Sequence, residues 1–180
     1  IKFQYYQWNA KKEMELRHNG KWYHISPWGL LWDDENYYMI GFDSEAQKIK
    51  HYRVDKMLKI NLSEEPRDGK EAFSKLNMAD YTKKSFGMYG GKEEKVKLLI
   101  HNDLVGVIID RFGRDIMLFP ADADHVTANV DVRVSRQFLA WVFSLGPNVK
   151  ILGPEDVVET MKREASRLME QYKSKKFCTL

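Results

Sequence analysis

The chain has 180 residues, 43% of them hydrophobic and 31% charged, with a formal net charge of +3. That length allows one or two soluble domains, and the near-balanced charge excludes a bulk nucleic-acid coat. No apolar run reaches the roughly 20 residues a membrane helix needs, and the single cysteine, Cys178, excludes a disulfide framework or a cysteine-based zinc site.

The first third reads as strands. Lys2–Trp8 is an aromatic-rich strand. Met14–Arg17 and Lys21–Ser26 flank His18-Asn19-Gly20, a hairpin signal. Leu30–Trp32 and Tyr37–Phe42 follow, separated by the turn-like Asp33-Asp34-Glu35-Asn36. Lys48–Val54 returns after a turn, and Asp55–Ile60 adds a short turn and a last strand. Short strands at hairpin spacing predict a small closed barrel rather than an open sheet. Ser63–Lys70, with Pro66 and Gly69, reads as a boundary. Glu71–Ser85 is read as one or two short helices, and Phe86–Lys92 as a flexible junction in which Gly87, Gly90 and Gly91 would permit movement.

The second half follows a different pattern. Val96, Leu98 and Ile100 alternate in a strand over Lys95–His101. Asn102 is placed to cap a helix over Asp103–Phe112, closed by Gly113. Ile116–Phe119 is a strand, and Val126, Ala128, Val130 and Val132 alternate in the next. Ser135 is placed to cap a helix carrying Phe138, Leu139, Val142 and Phe143, which Gly146-Pro147 stops. After a strand at Val149–Leu152, a final helix from near Pro154 carries one apolar stripe, Val157 to Tyr172, which covers its own domain or meets a partner. The order β-α-β-β-α-β is that of a ferredoxin-like fold.

Few residues carry recognisable chemistry. Gly90-Gly91-Lys92 fails as a phosphate loop, because Glu93 stands where Ser or Thr should bind magnesium and Phe86 where the first glycine belongs. Asp122-Ala123-Asp124-His125 has metal-ligand chemistry but lies on one loop, whereas metal sites converge ligands from several elements. No metal site, cofactor or catalytic constellation is predicted, and the chain is not expected to be an enzyme. The informative stretch is Lys48–Lys56, with Lys48, Lys50, His51, Arg53 and Lys56 beside Tyr52. On a strand His51 and Arg53 share one face and Lys50 and Tyr52 the other. A guanidinium beside an imidazole suits a phosphate or carboxylate, while a charged sheet edge is the plainer explanation. The aromatic surplus in the same third, from Tyr5 to Tyr52, favours the anion reading, because rings not needed in the core can stack on a base or sugar.

Ser26-Pro27-Trp28-Gly29-Leu30, then Tyr37-Tyr38-Met39, then His51-Tyr52-Arg53-Val54-Asp55-Lys56-Met57 resembles the WYL domain of bacterial transcription regulators, over roughly residues 1–62. Residues 95–172 resemble the C-terminal extension domain that follows it. The resemblance implies an α+β chain: a small Sm/SH3-like β-barrel at 1–62, a helical and flexible linker at 63–94, a ferredoxin-like βαββαβ domain with a C-terminal helix at 95–172, and a tail at 173–180. It further implies a ligand sensor, often for a nucleotide or nucleic acid, partnered with a winged helix-turn-helix that reads operator DNA, and commonly a homodimer. Tyr38 matches the tyrosine of the family's triplet and Arg53 the first arginine of its closing run. Lys56 stands where a second arginine is usual, which replaces a bidentate fork with a point charge. Tyr37 and Met39 replace Trp and Leu.

The expected site is therefore Tyr38, His51, Arg53 and Lys56, with Tyr5 as a further candidate, binding an anionic effector such as a nucleotide or short single-stranded nucleic acid. The competing expectation is a stand-alone protein- or RNA-interaction module. The chain opens on Ile1, so a piece of a longer protein is expected, with the helix-turn-helix outside it. The expected compartment is a reducing cytoplasm, with no membrane partner.

Overall fold

A computed structural model of the chain describes residues 1–33, 35–75, 86 and 91–173. It divides into two compact units, Ile1–Tyr81 and Thr82–Leu180, each with its own apolar core.

In the first unit β1 (Lys2–Trp8) is the central strand. Its Asn9 side chain accepts the backbone N–H groups of Lys11 at 2.9 Å and Glu13 at 3.0 Å, a turn that reverses the chain into β2 (Met14–Leu16). β3 (Trp22–His24) does not pair with β2. Both lie in series along β1: Met14–Leu16 face Trp8–Tyr6, and Trp22–His24 face Gln4–Lys2. His18-Asn19-Gly20 is thus not the hairpin turn its residues suggest. Its successive positive φ values of 50°, 54° and 79° belong to a short 3-10 stretch, Arg17–Gly20, that bulges away before the chain rejoins β1.

β4 (Ser26–Asp33), β5 (Asn36–Asp43) and β6 (Lys48–Arg53) form a second, antiparallel sheet. Pro27 is tolerated because β4 is an edge strand and shifts register there. A 3-10 turn, Val54–Lys56, leads to β7 (Met57–Asn61), which returns to the other edge of β1. The two sheets share a core of Phe3, Tyr5, Ile25, Met39, Tyr52 and Met57. Phe3 sits 5.1 Å from Tyr52 edge-on and 5.5 Å from Tyr23 stacked; such pairs add about 0.5–1.5 kcal/mol each beyond area burial. The strands expected over residues 1–62 are present, but their ladders among the described residues form two sheets and not one closed barrel. The chain changes sheet at buried Ile25 and at the 3-10 turn.

Residues 63–70, read as a boundary, instead pack on this unit. Trp28 donates its indole N–H to the Asp68 carbonyl at 2.7 Å, Arg67 lies 4.5 Å from the Trp28 ring centre, and Phe73 stacks on it at 5.5 Å. Phe73 belongs to α1 (Lys70–Ser74), the described part of the predicted linker helices. Residues 76–85 and the junction glycines Gly87 and Gly90 lie outside the described residues, as do Asp34 and residues 174–180.

The second unit is ferredoxin-like. β8 (Lys92–His101), β9 (Leu118–Pro120), β10 (His125–Val134) and β11 (Val149–Gly153) form an antiparallel sheet in the order β11-β8-β10-β9. α2 (Val105–Phe112) and α3 (Arg136–Ser144) connect them, and α4 (Glu155–Lys173) follows. The alternating Val96, Leu98, Ile100, Ala128, Val130 and Val132 meet Ile108, Phe138 and Val157 of the helices. Ser135 caps α3 by accepting the Phe138 N–H at 3.2 Å. Asn102 does not cap α2. A 3-10 turn at Asn102–Leu104 precedes that helix, and the Asn102 amide donates to the Ala123 carbonyl. Gly91 has a steric reason: a Cβ there would lie 2.2 Å from the Val134 carbonyl oxygen.

Candidate anion site on the first domain

The β5–β6 register sets the site. Tyr38 pairs with Arg53 and Ile40 with His51, whereas Met39 pairs with Tyr52. Cross-strand partners point to the same side of a sheet. Tyr52 and Met39 belong to the shared core, and Tyr38, His51 and Arg53 lie on the opposite face of the sheet together with fully buried Ile40. Lys50 shares the parity of Tyr52 and reaches the buried carboxylate of Asp43, which takes it out of the cation group. Lys56 lies in the 3-10 turn just past the strand, half-buried.

Arg53 is not open-handed. Its Nε donates to Asp55 Oδ1 at 3.1 Å and its Nη2 to Oδ2 at 2.8 Å, a bidentate clamp. The arginine side chain is 32% exposed and the aspartate 51%, so the pair faces solvent. The bond from Arg53 holds the Asp55 carboxyl below its usual range, helped by the nearby charges of Arg53 and Lys56. The same bond raises the guanidinium further. Asp55 thus partly neutralises the two cations that flank it. Sequence reasoning gave it no role, although the two-residue spacing from Arg53 across a turn is the signal that would have found it.

Tyr5 lies beneath the site and not in it. It is 8% exposed, its ring packs among Phe3, Tyr23 and Tyr52, and its hydroxyl accepts the Arg53 backbone N–H at 3.0 Å. Burial pushes its hydroxyl above the usual tyrosine value. Its role is to fix the backbone that carries Arg53. Of the aromatic surplus, Tyr5, Tyr23 and Tyr52 are spent on the core around Phe3. Trp32 and Tyr37, 4.7 Å apart at the β4–β5 end, remain exposed.

A cleft of about 750 Å³ opens elsewhere on the same unit. Its walls include His18, Lys21, Trp22, Asp43, Lys50 and Asp68, and none of the five candidate residues lines it. Its charges are largely paired: Lys21 with Glu45 at 2.9 Å, and Lys50 with Asp43. Burial alone would raise the Asp43 carboxyl, but bonds from Lys50 and from the Ala46 N–H outweigh it and hold the group below its ordinary range. Among the described residues no helix is long and apolar enough to cross a membrane.

Residues 1–62 match the WYL domain and residues 92–169 match the WCX domain. No curated protein matches the chain in sequence. Among solved structures it is similar to proteasome accessory factor B/C (PafBC) of Arthrobacter aurescens, at 15% identity and a TM-score of 0.41, covering 99% of this chain and 26% of that one. It is also similar to a CRISPR Cas-related protein, at 15% identity and a TM-score of 0.47, covering 96% of this chain and 48% of that one. The chain therefore spans half or less of the length of these structures. The chain therefore carries a WYL domain over residues 1–62 followed by a WCX domain over residues 92–169.

Proposed function

We propose that this chain senses an anionic effector, a nucleotide or a short single-stranded nucleic acid, on the face of β5 and β6 opposite the shared core. Tyr38 offers a ring, Arg53 a guanidinium, His51 an imidazole and Lys56 a point charge. The observation that carries the reading is the cross-strand pairing of Tyr38 with Arg53, whose side chain is 32% exposed, next to a cation on the adjoining turn. A phosphate competes with Asp55 for the fork of Arg53, since both present oxygens suited to bidentate binding. Binding therefore exchanges one ion pair for another, and the bared Asp55 turns toward Lys56 or solvent.

In the complete regulator the effector would alter how a helix-turn-helix outside this chain meets operator DNA, with the protein acting as a homodimer. A ligand achieves this only by preferring one of two arrangements of the protein. No catalytic step is part of this reading. The test is a titration of the chain with nucleotides and short labelled oligonucleotides against Tyr38→Ala and Arg53→Ala. Both variants should bind more weakly, Arg53→Ala with a shallower dependence on salt because one phosphate contact is gone. Undiminished binding by Arg53→Ala would remove the site.

A further inference from the structure

Read as sequence, Asp122-Ala123-Asp124-His125 is a single loop and lacks a second source of ligands. The fold supplies one. His125 opens β10 and His101 closes β8, and the two are direct cross-strand partners. Their ring centres lie 5.4 Å apart with the rings nearly perpendicular. Two imidazoles on one tetrahedral metal, with metal–nitrogen bonds of about 2.0–2.1 Å, put their ring centres roughly 5 Å apart. The side chains are 31% and 33% exposed, half-sheltered but open to an arriving ion.

Each imidazole is backed by a carboxylate. His125 Nδ1 lies 2.8 Å from Asp122 Oδ1. The carboxylate only accepts, so Nδ1 carries the proton and Nε2 the lone pair. His101 Nδ1 accepts the Asp103 backbone N–H at 3.3 Å, which leaves the proton on Nε2, and Asp103 Oδ2 lies 3.3 Å from the same Nδ1. Metal binding at Nε2 selects the tautomer in which Oδ2 accepts from Nδ1. A carboxylate behind a histidine in this way orients the ring and raises its basicity toward a metal. The two segments that carry these groups are tied together: the Asn102 N–H donates to the Asp124 carbonyl at 2.9 Å and the Asn102 amide to the Ala123 carbonyl at 3.1 Å. The local charge suits a cation, with the carboxylates of Asp103 and Asp122 beside the pair.

We infer that His101 and His125 form a two-histidine site for a divalent transition cation of the imidazole-preferring class, such as Zn²⁺ or Cu²⁺. Among the described residues no three histidine, cysteine or carboxylate side chains come together as a ready metal-binding group. The protein thus supplies two nitrogens and water completes the shell. The bound ion pins the last residue of β8 to the first of β10 and fastens the loop at 121–124.

The experiment is calorimetric titration of the whole chain with Zn²⁺ and with Cu²⁺ near neutral pH, repeated on His101→Asn, His125→Asn, Asp122→Asn and, as a control, His24→Asn. One ion should bind per chain. Each of the His101 and His125 variants should weaken binding at least tenfold, Asp122→Asn by about 10–100-fold as a carboxylate behind the ligand, and His24→Asn should not change it. Paramagnetic broadening by Cu²⁺ in the unaltered protein, which has five histidines, should fall first on the ring signals of His101 and His125. No binding at millimolar metal, equal affinity in the His101 and His125 variants, or broadening centred on other histidines would overturn the assignment.

Discussion

Arg53 and Asp55 form an exposed bidentate pair, and exposed pairs contribute at most about 1 kcal/mol to stability. Removing Asp55 should therefore matter more for binding than for folding. Asp55→Asn is expected to shift the midpoint of thermal unfolding little and to tighten anion binding by up to about fivefold, the factor equivalent to ~1 kcal/mol. A titration of this variant beside the unaltered chain checks it, and weaker binding would mean that Asp55 orients the arginine instead of competing for it. Asp43 behaves differently, being buried and bonded to Lys50. Its carboxyl is held low in the folded chain, so its contribution is present above the unfolded value near pH 3.9 and is lost as pH falls through the folded value. Asp43→Asn should cost about 1.5–3 kcal/mol at neutral pH and flatten the acid limb of the stability curve, as measured by urea unfolding across pH. At this scale the sequence was partly legible. Period two placed His51 and Arg53 on one face, but periodicity names two faces without saying which is inner. Hence Tyr5, a plausible ring beside a cation, proved to be core, and Lys50 turned inward to Asp43.

Elements were legible where local chemistry is decisive. Alternation in β8 and β10 and the serine before α3 predicted the ferredoxin-like half, because a sheet with helices on one face needs that pattern. Ser135→Ala should lower the stability of the second unit by about 1 kcal/mol through the lost cap, seen as a lower unfolding midpoint for that unit. The Asn-Gly signal at residues 19–20 misled because hairpin chemistry is local while strand pairing is not. β1 offers one long edge, and β2 and β3 satisfy it in series. Residues 63–70 show a related effect. Polar Asp68 and Gly69 look like a boundary, yet Gly69 adopts φ +80° against Phe42, where a Cβ would lie 2.2 Å from Cγ. Gly69→Ala combines that clash with a strained backbone and should destabilise the first unit by more than about 1 kcal/mol, detectable by chemical denaturation.

For the whole molecule, the pairing of a WYL domain with a WCX domain is what the proposed regulatory role rests on. Sequence motifs reached this because the Pro-x-x-Leu segment, the aromatic triplet and the Arg-containing run each occupy a fixed structural place: edge strand β4, central strand β5, and the β6 corner. The cleft beside Lys21 and Asp43 left no such trace, since its walls come from separated turns and from residues 63–68. It is also the chief rival location for a ligand on this domain. The measurement that separates the two is an NMR titration of the isotope-labelled chain with a short oligonucleotide or nucleotide. Binding at the proposed site should concentrate amide shifts at Tyr38, His51, Arg53 and Lys56. Shifts concentrated instead at Lys21, Trp22 and Asp43, with those four residues unmoved, would contradict it.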